Sequence, residues 1–330
     1  MKQLRVLFYG FRHGHINGLY RKVQDSPLAT VAGCIEPNWE AREAAENNLG
    51  AAFSEDSYET WLSTDIDAVA IGCAYGERGD AIIRALRAGK HVIADKPICT
   101  TPEQLKTIRA LVSESGCKVA CMLDLRYLPQ VRRAKEILDS GRLGTVRNIA
   151  MNGQHCIDYA HRPAWYFEPG MHGGTVNDLA IHGIDLVRML TGQEFVALDG
   201  VRTWNAYATK NKEFPDSAVF MARLEGGAEV LADVSYSAPS QVFSMPTYWE
   251  FRVWCDKGLL TWNFAKPTVT LYEEGTTAPI TPEGIDSDQD YLWEFAEEIE
   301  TNSTYVTESV LRSTETALWI QSEADREVGA

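Results

Sequence analysis

Long apolar runs are missing from this 330-residue chain. The first, Leu4 to Tyr9, already contains Arg5 and gives way to Gly10-Phe11-Arg12-His13. That is too short for an export signal or a membrane span, so neither a targeting segment nor a membrane role is expected. Paired cysteines are missing as well. The seven, at 34, 73, 99, 117, 121, 156 and 255, are odd in number and contain no C-x-x-C. This pattern suits free thiols in a reducing cytoplasm better than a disulfide framework or a zinc ribbon. Basic residues are few, 31 against 46 acidic, and the formal charge of −15 argues against electrostatic binding of nucleic acid or anionic membranes. Histidine is absent from the final 148 residues, all seven lying between positions 13 and 182.

What is present is unevenly spread. Residues 1–150 carry a net charge of +2 and residues 151–330 one of −17, with −13 of it in residues 273–330. The length predicts two domains. Composition is ordinary for a packed protein, 45% apolar and 23% charged.

The first third alternates short β-branched runs with helical patterns. Strands are expected at Leu4–Tyr9, Thr30–Ile35, Ala68–Cys73, His91–Ala94 and Lys118–Leu123, with helices between them. Repeated βα units of this spacing predict a doubly wound parallel sheet of the Rossmann type over residues 1–124. A hinge is expected near 124–128. Residues 125–330 read as an α+β domain: a helix at 129–140, a strand near 146–152, a His/Tyr/Trp/Pro-rich loop at 155–172, a helix at about 175–190, a β-rich tract from 197 to 271, and two closing helices. Several of its strands alternate apolar with polar residues, as in a large, open, mostly antiparallel sheet with unequal faces.

Four segments have residues suited to chemistry. The turn after strand 1, Gly10-Phe11-Arg12-His13-Gly14-His15, offers backbone N–H groups and a helix N-terminus to a pyrophosphate. Gly10 fits the first position of a dinucleotide fingerprint, while Arg12 and His15 stand where glycines are usual. Glu36, 26 residues later, is placed to accept ribose hydroxyls and favours NAD over NADP, although Arg42 nearby leaves NADP use open. Asp95-Lys96-Pro97 ends a strand at the edge where such sheets bind ligands. In Gly173-Gly174-Thr175-Val176-Asn177-Asp178-Leu179-Ala180-Ile181-His182, the i, i+4 spacing puts Asp178 and His182 on one helix face, continued by Asp185. His155, His161, His172 and His182 match no zinc spacing, so no metal is expected.

Together, the strand-1 turn, Asp95-Lys96-Pro97, Arg126-Tyr127-Leu128-Pro129, Gly173-Gly174 with Asp178 and His182, and the closing 318–326 segment resemble the Gfo/Idh/MocA family of oxidoreductases. The resemblance covers nearly the whole chain. It departs from the family at Asp95, where Glu is usual, at the two missing glycines, and at Cys73-Ala74-Tyr75-Gly76 in place of a Thr-Pro-Asn turn. It implies a cofactor site of Gly10, Phe11, Arg12, His13, Gly14, His15, Glu36, Cys73, Asp95 and Lys96 that takes NAD. It also implies Lys96, Asp178 and His182 as catalytic residues, with His182 exchanging the proton of a substrate hydroxyl.

Chemistry is consistent with those roles. Oxidation of a secondary alcohol needs a base near pH 7 for the hydroxyl proton while hydride leaves the same carbon, and a cation to steady the developing alkoxide. Tyr127, His155, Arg162, Trp165 and Tyr166 are expected to join Lys96, Asp178 and His182 in binding a small carbohydrate or polyol. The leading expectation is a cytoplasmic NAD-dependent dehydrogenase acting on a ring hydroxyl of a sugar, polyol or glycoside. Two alternatives are an NAD-dependent glycosidase working by transient oxidation and a non-catalytic cofactor or sugar sensor, the latter suggested by the altered glycine turn. Val219, Phe220, Val230, Leu231, Trp249, Phe251 and Trp254 supply more apolar surface than one sheet face needs, which predicts a dimer or tetramer built through that sheet.

Overall fold

The computed structural model describes residues 1–239 and 244–328. Two compact units emerge: residues 1–123, 163–173 and 289–315 form the first, and residues 124–162, 174–288 and 316–330 the second. Two later segments thus belong with the first unit, an arrangement that a linear reading of composition has no means of showing.

In the first unit the chain runs β1 (Leu4–Tyr9), α1 (His15–Asp25), β2 (Ala29–Ile35), α2 (Trp39–Leu49), α3 (Tyr58–Leu62), β3 (Ala68–Ile71), α4 (Tyr75–Arg87), β4 (His91–Ala94), α5 (Pro102–Ser115) and β5 (Val119–Cys121). The strands pair in parallel in the order β2-β1-β3-β4-β5. Every residue of β3 is buried, because helices cover both faces of a doubly wound sheet. Local chemistry fixes the helix ends. Asn38, Ser57 and Thr101 accept hydrogen bonds from the first turns of α2, α3 and α5, and Gly50 and Gly116 close α2 and α5. The chain order reverses between β1 and β3, so the crevice beyond their C-terminal ends lies between the Gly10 turn and Cys73, the place where such sheets take ligands.

The second unit has α6 (Pro129–Asp139), β6 (Val146–Gln154), α7 (Ile181–Thr191), β7 (Phe195–Trp204), β8 (Ser217–Leu224), β9 (Glu229–Ser235), β10 (Glu250–Cys255), β11 (Gly258–Trp262) and β12 (Thr270–Glu273). Its sheet runs β12-β11-β10-β6-β9-β8-β7, antiparallel except for the β6–β9 pair. Alternation is clear in β8, where Ala218, Phe220 and Ala222 are buried while Val219, Met221 and Arg223 are exposed. The apolar surplus read from the sequence therefore divides: Phe220, Val230, Trp249 and Phe251 are core, whereas Val219, Leu231 and Trp254 are exposed. Helix α7 is buried nearly all round, and inside this unit Arg126 donates through Nε to Asp185 Oδ2 at 2.8 Å.

The closing helices are α8 (Tyr291–Thr301), capped by Asp290, and α9 (Tyr305–Val328). No helix among the described residues is long and apolar enough to cross a membrane.

Candidate active site

The strand-1 turn is built around Gly10, whose φ of +85° is left-handed and whose N–H donates to Ile35 O. A Cβ here would lie 2.6 Å from Cys73 N, so the turn and the end of β3 are in close contact. Phe11 contributes backbone rather than side chain: its N–H donates to Glu36 Oε2 while its ring packs against Phe53 and Tyr20. The second oxygen of Glu36 accepts from Asn38 N at 2.7 Å. Burial pushes the Glu36 carboxyl above its ordinary value, against the two N–H donors. Arg12 donates its N–H to Gly72 O at 3.0 Å.

Gly10, Arg12, Glu36 and Cys73 line a cleft of about 610 Å³, with Tyr9, Gly76, Glu77 and Arg84 also on its walls. Its size, a guanidinium for a diphosphate and a carboxylate for ribose hydroxyls fit the adenosine half of a dinucleotide. Arg42 takes no part there. It pairs with Glu46 and Glu55 at 3.1 and 2.7 Å, so it is committed to surface carboxylates.

Asp95, at the end of β4, is completely buried and gathers four groups. His13 Nδ1 approaches Oδ2 at 2.6 Å and His15 Nδ1 approaches Oδ1 at 3.2 Å. Arg78 Nη2 lies 3.3 Å from Oδ2, and Lys96 N–H donates to Oδ1 at 2.7 Å. Burial opposes ionisation of Asp95, but His13, Arg78 and His15, which face it, outweigh that and hold the carboxyl well below its usual range. Burial in turn pulls His13 down to about 4, so its imidazole is neutral at pH 7. Lys96 is itself buried, with Nζ 5.7 Å from the Tyr75 ring centre.

Sequence reasoning missed Tyr75 and Arg78. Arg78 is fully buried and donates to Cys73 O and Pro97 O at 2.9 Å, fastening the ends of β3 and β4. Tyr75 Oη meets His13 Nε2 at 3.2 Å and Tyr166 Oη at 3.4 Å. Their signal was positional: they open the helix that follows a strand at the ligand edge of the sheet. Trp165 and Tyr166 also belong to this unit, Trp165 donating to Arg12 O at 3.3 Å.

Tyr127, His155, Arg162, Asp178 and His182 lie in the second unit. The expected α-helix over 175–190 is interrupted: Val176–Ala180 is a π-turn, and α7 begins only at Ile181. Such widened turns recur at functional sites. Gly174, at φ +91°, sits where a Cβ would meet the Gln321 side chain, whose Oε1 accepts from Val176 N at 2.9 Å. Asp178 on the π-turn is completely buried and accepts a short hydrogen bond from Tyr236 Oη. The Arg162 guanidinium lies 5.4 Å from the Tyr236 ring centre, so Tyr236 links Asp178 to Arg162.

His182 is buried on the first turn of α7. Its ring meets Trp249 edge-on at 5.4 Å, its Nδ1 lies 3.9 Å from Asp124 Oδ1, and Trp249 also touches the His155 ring at 5.9 Å. Trp249 holds φ +47°, an unusual conformation for a bulky residue, and this replaces the strand expected there; β10 begins only at Glu250. Tyr127 lies on the short turn Asp124–Tyr127, its ring 5.8 Å from the Arg132 guanidinium. Tyr236 and Trp249 gave no signal in the sequence, because their partners lie 58 and 67 positions away.

Comparison with known proteins bears on both units. Residues 4–122 match a family model described as an oxidoreductase family with an NAD-binding Rossmann fold, and residues 131–261 match the GFO/IDH/MocA C-terminal domain. The scyllo-inositol 2-dehydrogenase (NAD(+)) of Bacillus subtilis (strain 168) is 29% identical over 229 residues, 68% of this chain and 64% of that protein. Levoglucosan dehydrogenase of Pseudarthrobacter phenanthrenivorans is 31% identical over 160 residues, 46% of this chain and 40% of that protein. The chain thus spans less than two thirds of the length of these relatives. In fold, it is similar to the aldose-aldose oxidoreductase of Caulobacter crescentus, with a TM-score of 0.82 at 19% identity over 99% of this chain and 98% of that one. The first unit is an NAD-binding Rossmann domain.

Proposed function

The chain belongs to the Gfo/Idh/MocA family of oxidoreductases, and from that premise we propose that it transfers a hydride between a ring secondary hydroxyl of a sugar, polyol or glycoside and the nicotinamide of NAD, with His182 as the acid/base. The observation that carries the reading is the burial of two groups, Asp178 on the π-turn, held by Tyr236, and His182 on the first turn of α7, packed against Trp249. The names of the relatives, which act on inositol and levoglucosan, support the substrate class.

Each residue then has a defined task. Gly10, Arg12 and Glu36 hold the dinucleotide, which supplies the hydride acceptor. His182 takes the hydroxyl proton. Asp178, a buried acceptor held by the Tyr236 hydroxyl, binds a neighbouring hydroxyl or orients the imidazole. Lys96 provides the cation that lowers the energy of a developing alkoxide. NAD reduction is to be measured with a panel of inositols, hexoses and glycosides. His182→Ala should lower turnover by about 10²- to 10⁴-fold, the usual worth of a general base. Unchanged turnover in both His182→Ala and Lys96→Ala would overturn the assignment.

We also propose self-association through the exposed sheet face, where Val219, Met221 and Leu231 border a shallow depression of about 470 Å³. A monomer by light scattering at micromolar concentration would rule this out. A cytoplasmic location accords with seven free thiols.

A further inference from the structure

His13, His15 and Asp95 are the only group of three His, Cys, Asp or Glu side chains among the described residues whose ligand atoms all fall within 4.8 Å of one another. We propose that they form a three-ligand site for a first-row divalent transition ion of the zinc type, and that this ion and the dinucleotide are alternative occupants of the strand-1 turn. The second limb rests on the cofactor reading above; the first does not.

The geometry is close to what such an ion needs. Zinc lies about 2.0–2.2 Å from imidazole nitrogen and carboxylate oxygen, so its ligand atoms stand a little over 3 Å apart. Here His15 Nδ1 is 3.2 Å from Asp95 Oδ1 and His13 Nδ1 is 2.6 Å from Oδ2, with the three ligand atoms all within 4.8 Å of one another, so an ion requires His13 to draw back slightly from the carboxylate and the three groups to converge on one point. The second ring nitrogen of a metal-bound histidine normally donates to a fixed partner. His13 has one in place, Nε2 lying 3.2 Å from Tyr75 Oη, which in turn meets Tyr166 Oη at 3.4 Å. The His15 side chain is 47% exposed, which provides a route in and leaves coordination positions for water.

The donor set also decides which ions bind. Two imidazoles and one carboxylate suit Zn²⁺, Co²⁺ and Ni²⁺ and disfavour Mg²⁺ and Ca²⁺, which take oxygen. Arg78 Nη2 stands 3.3 Å from Asp95 Oδ2, and that fixed cation repels the ion. Three ligands beside a fixed cation make the site a reversible one and not a structural centre, which takes four. Since His13 and His15 belong to the same turn as Gly10 and Arg12, an ion held there stands where the diphosphate is expected to pass.

The test titrates Co²⁺ alone into the chelator-treated full chain, reading visible absorption and heat, and then repeats the titration with Zn²⁺. One equivalent is expected, with absorption bands of a four- or five-coordinate ion. His15→Ala changes an exposed side chain and should fold normally by circular dichroism. It should weaken binding by at least about 10- to 100-fold, the cost already seen for losing a supporting partner of a metal ligand. His161→Ala, an exposed histidine outside the cluster, should bind as the unaltered chain does. Equal binding by the unaltered chain and His15→Ala, or no binding at all, would overturn the ion site. NAD binding to the metal-free chain is measured separately. Its absence would sink the cofactor reading while leaving the cobalt result standing, whereas NAD that binds without weakening the apparent Co²⁺ affinity would sink the competition alone.

Discussion

Three glycines follow β1 within nine residues, and the structure makes only one of them indispensable. Gly10 holds φ +85°, and a Cβ there would lie 2.6, 2.7 and 2.8 Å from Cys73 N, Sγ and Cα. Two of these atoms are backbone at the end of a central strand and cannot yield. Gly10→Ala therefore incurs about 1–2 kcal/mol for an L side chain in left-handed space and about 1–3 kcal/mol for overpacking, roughly 2–5 kcal/mol in all. Gly14, with φ −63°, and Gly18, inside α1, have nothing within 4 Å of a new Cβ. Gly14→Ala should stay within about 0.5 kcal/mol of the original. Gly18→Ala should stabilise by about 0.5–1 kcal/mol, because alanine gives up less backbone freedom in a helix. Urea unfolding of the three variants, followed by ellipticity, measures this order, and calorimetry with NAD reports the effect on the proposed cleft. If Gly10→Ala unfolds with the original midpoint, or if Gly18→Ala is as damaging as Gly10→Ala, the reasoning from left-handed geometry and close approach fails.

Other sites give independent checks. Asp185→Asn breaks a buried ion pair with Arg126, exposed by only 5% and 1%, and should cost about 3–5 kcal/mol, while Arg126→Met combined with Asp185→Leu should recover most of it; denaturation midpoints decide. Tyr236→Phe removes the hydroxyl that donates to Asp178, so a loss of about 1–3 kcal/mol is expected, with an altered pH profile of turnover; an unchanged profile would place Tyr236 outside the proton chemistry. Burial pushes the thiols of Cys34, Cys73 and Cys99 up to about 12 and that of Cys255 to about 11. Because a raised thiol pKa leaves the group protonated below it, these cysteines should resist iodoacetamide at pH 8 in the native state and react once unfolded. Mass spectrometry showing rapid native alkylation of Cys73 would contradict this.

How much of this was legible in the sequence depended on whether a residue's partner was near in the chain or far. The βα rhythm is local, and strands such as Leu4–Tyr9 and His91–Ala94 stand where the pattern of apolar and β-branched residues puts them. So do Gly10 and Asp95, since strand ends in a parallel sheet face the ligand crevice by construction. The sequence could not show why Arg12 is tolerated where a second glycine is usual. Its N–H is taken by Gly72 O and its carbonyl by Trp165, a residue 153 positions later, so the turn is braced from outside instead of being shaped by glycine alone. Gly72 is the glycine that composition overlooked: a Cβ there would lie 2.5 Å from Gly10 O, so the close approach the fingerprint normally achieves within one loop is here shared between two strand ends. Taken by itself, the altered turn suggests a chain that binds cofactor without turning over substrate. Its altered positions instead have structural partners, Arg12 at Gly72 and Trp165, and His15 at Asp95. The missing glycines are therefore no argument for a sensor, and the functional question passes to His182, Asp178 and Lys96, where substitution can answer it.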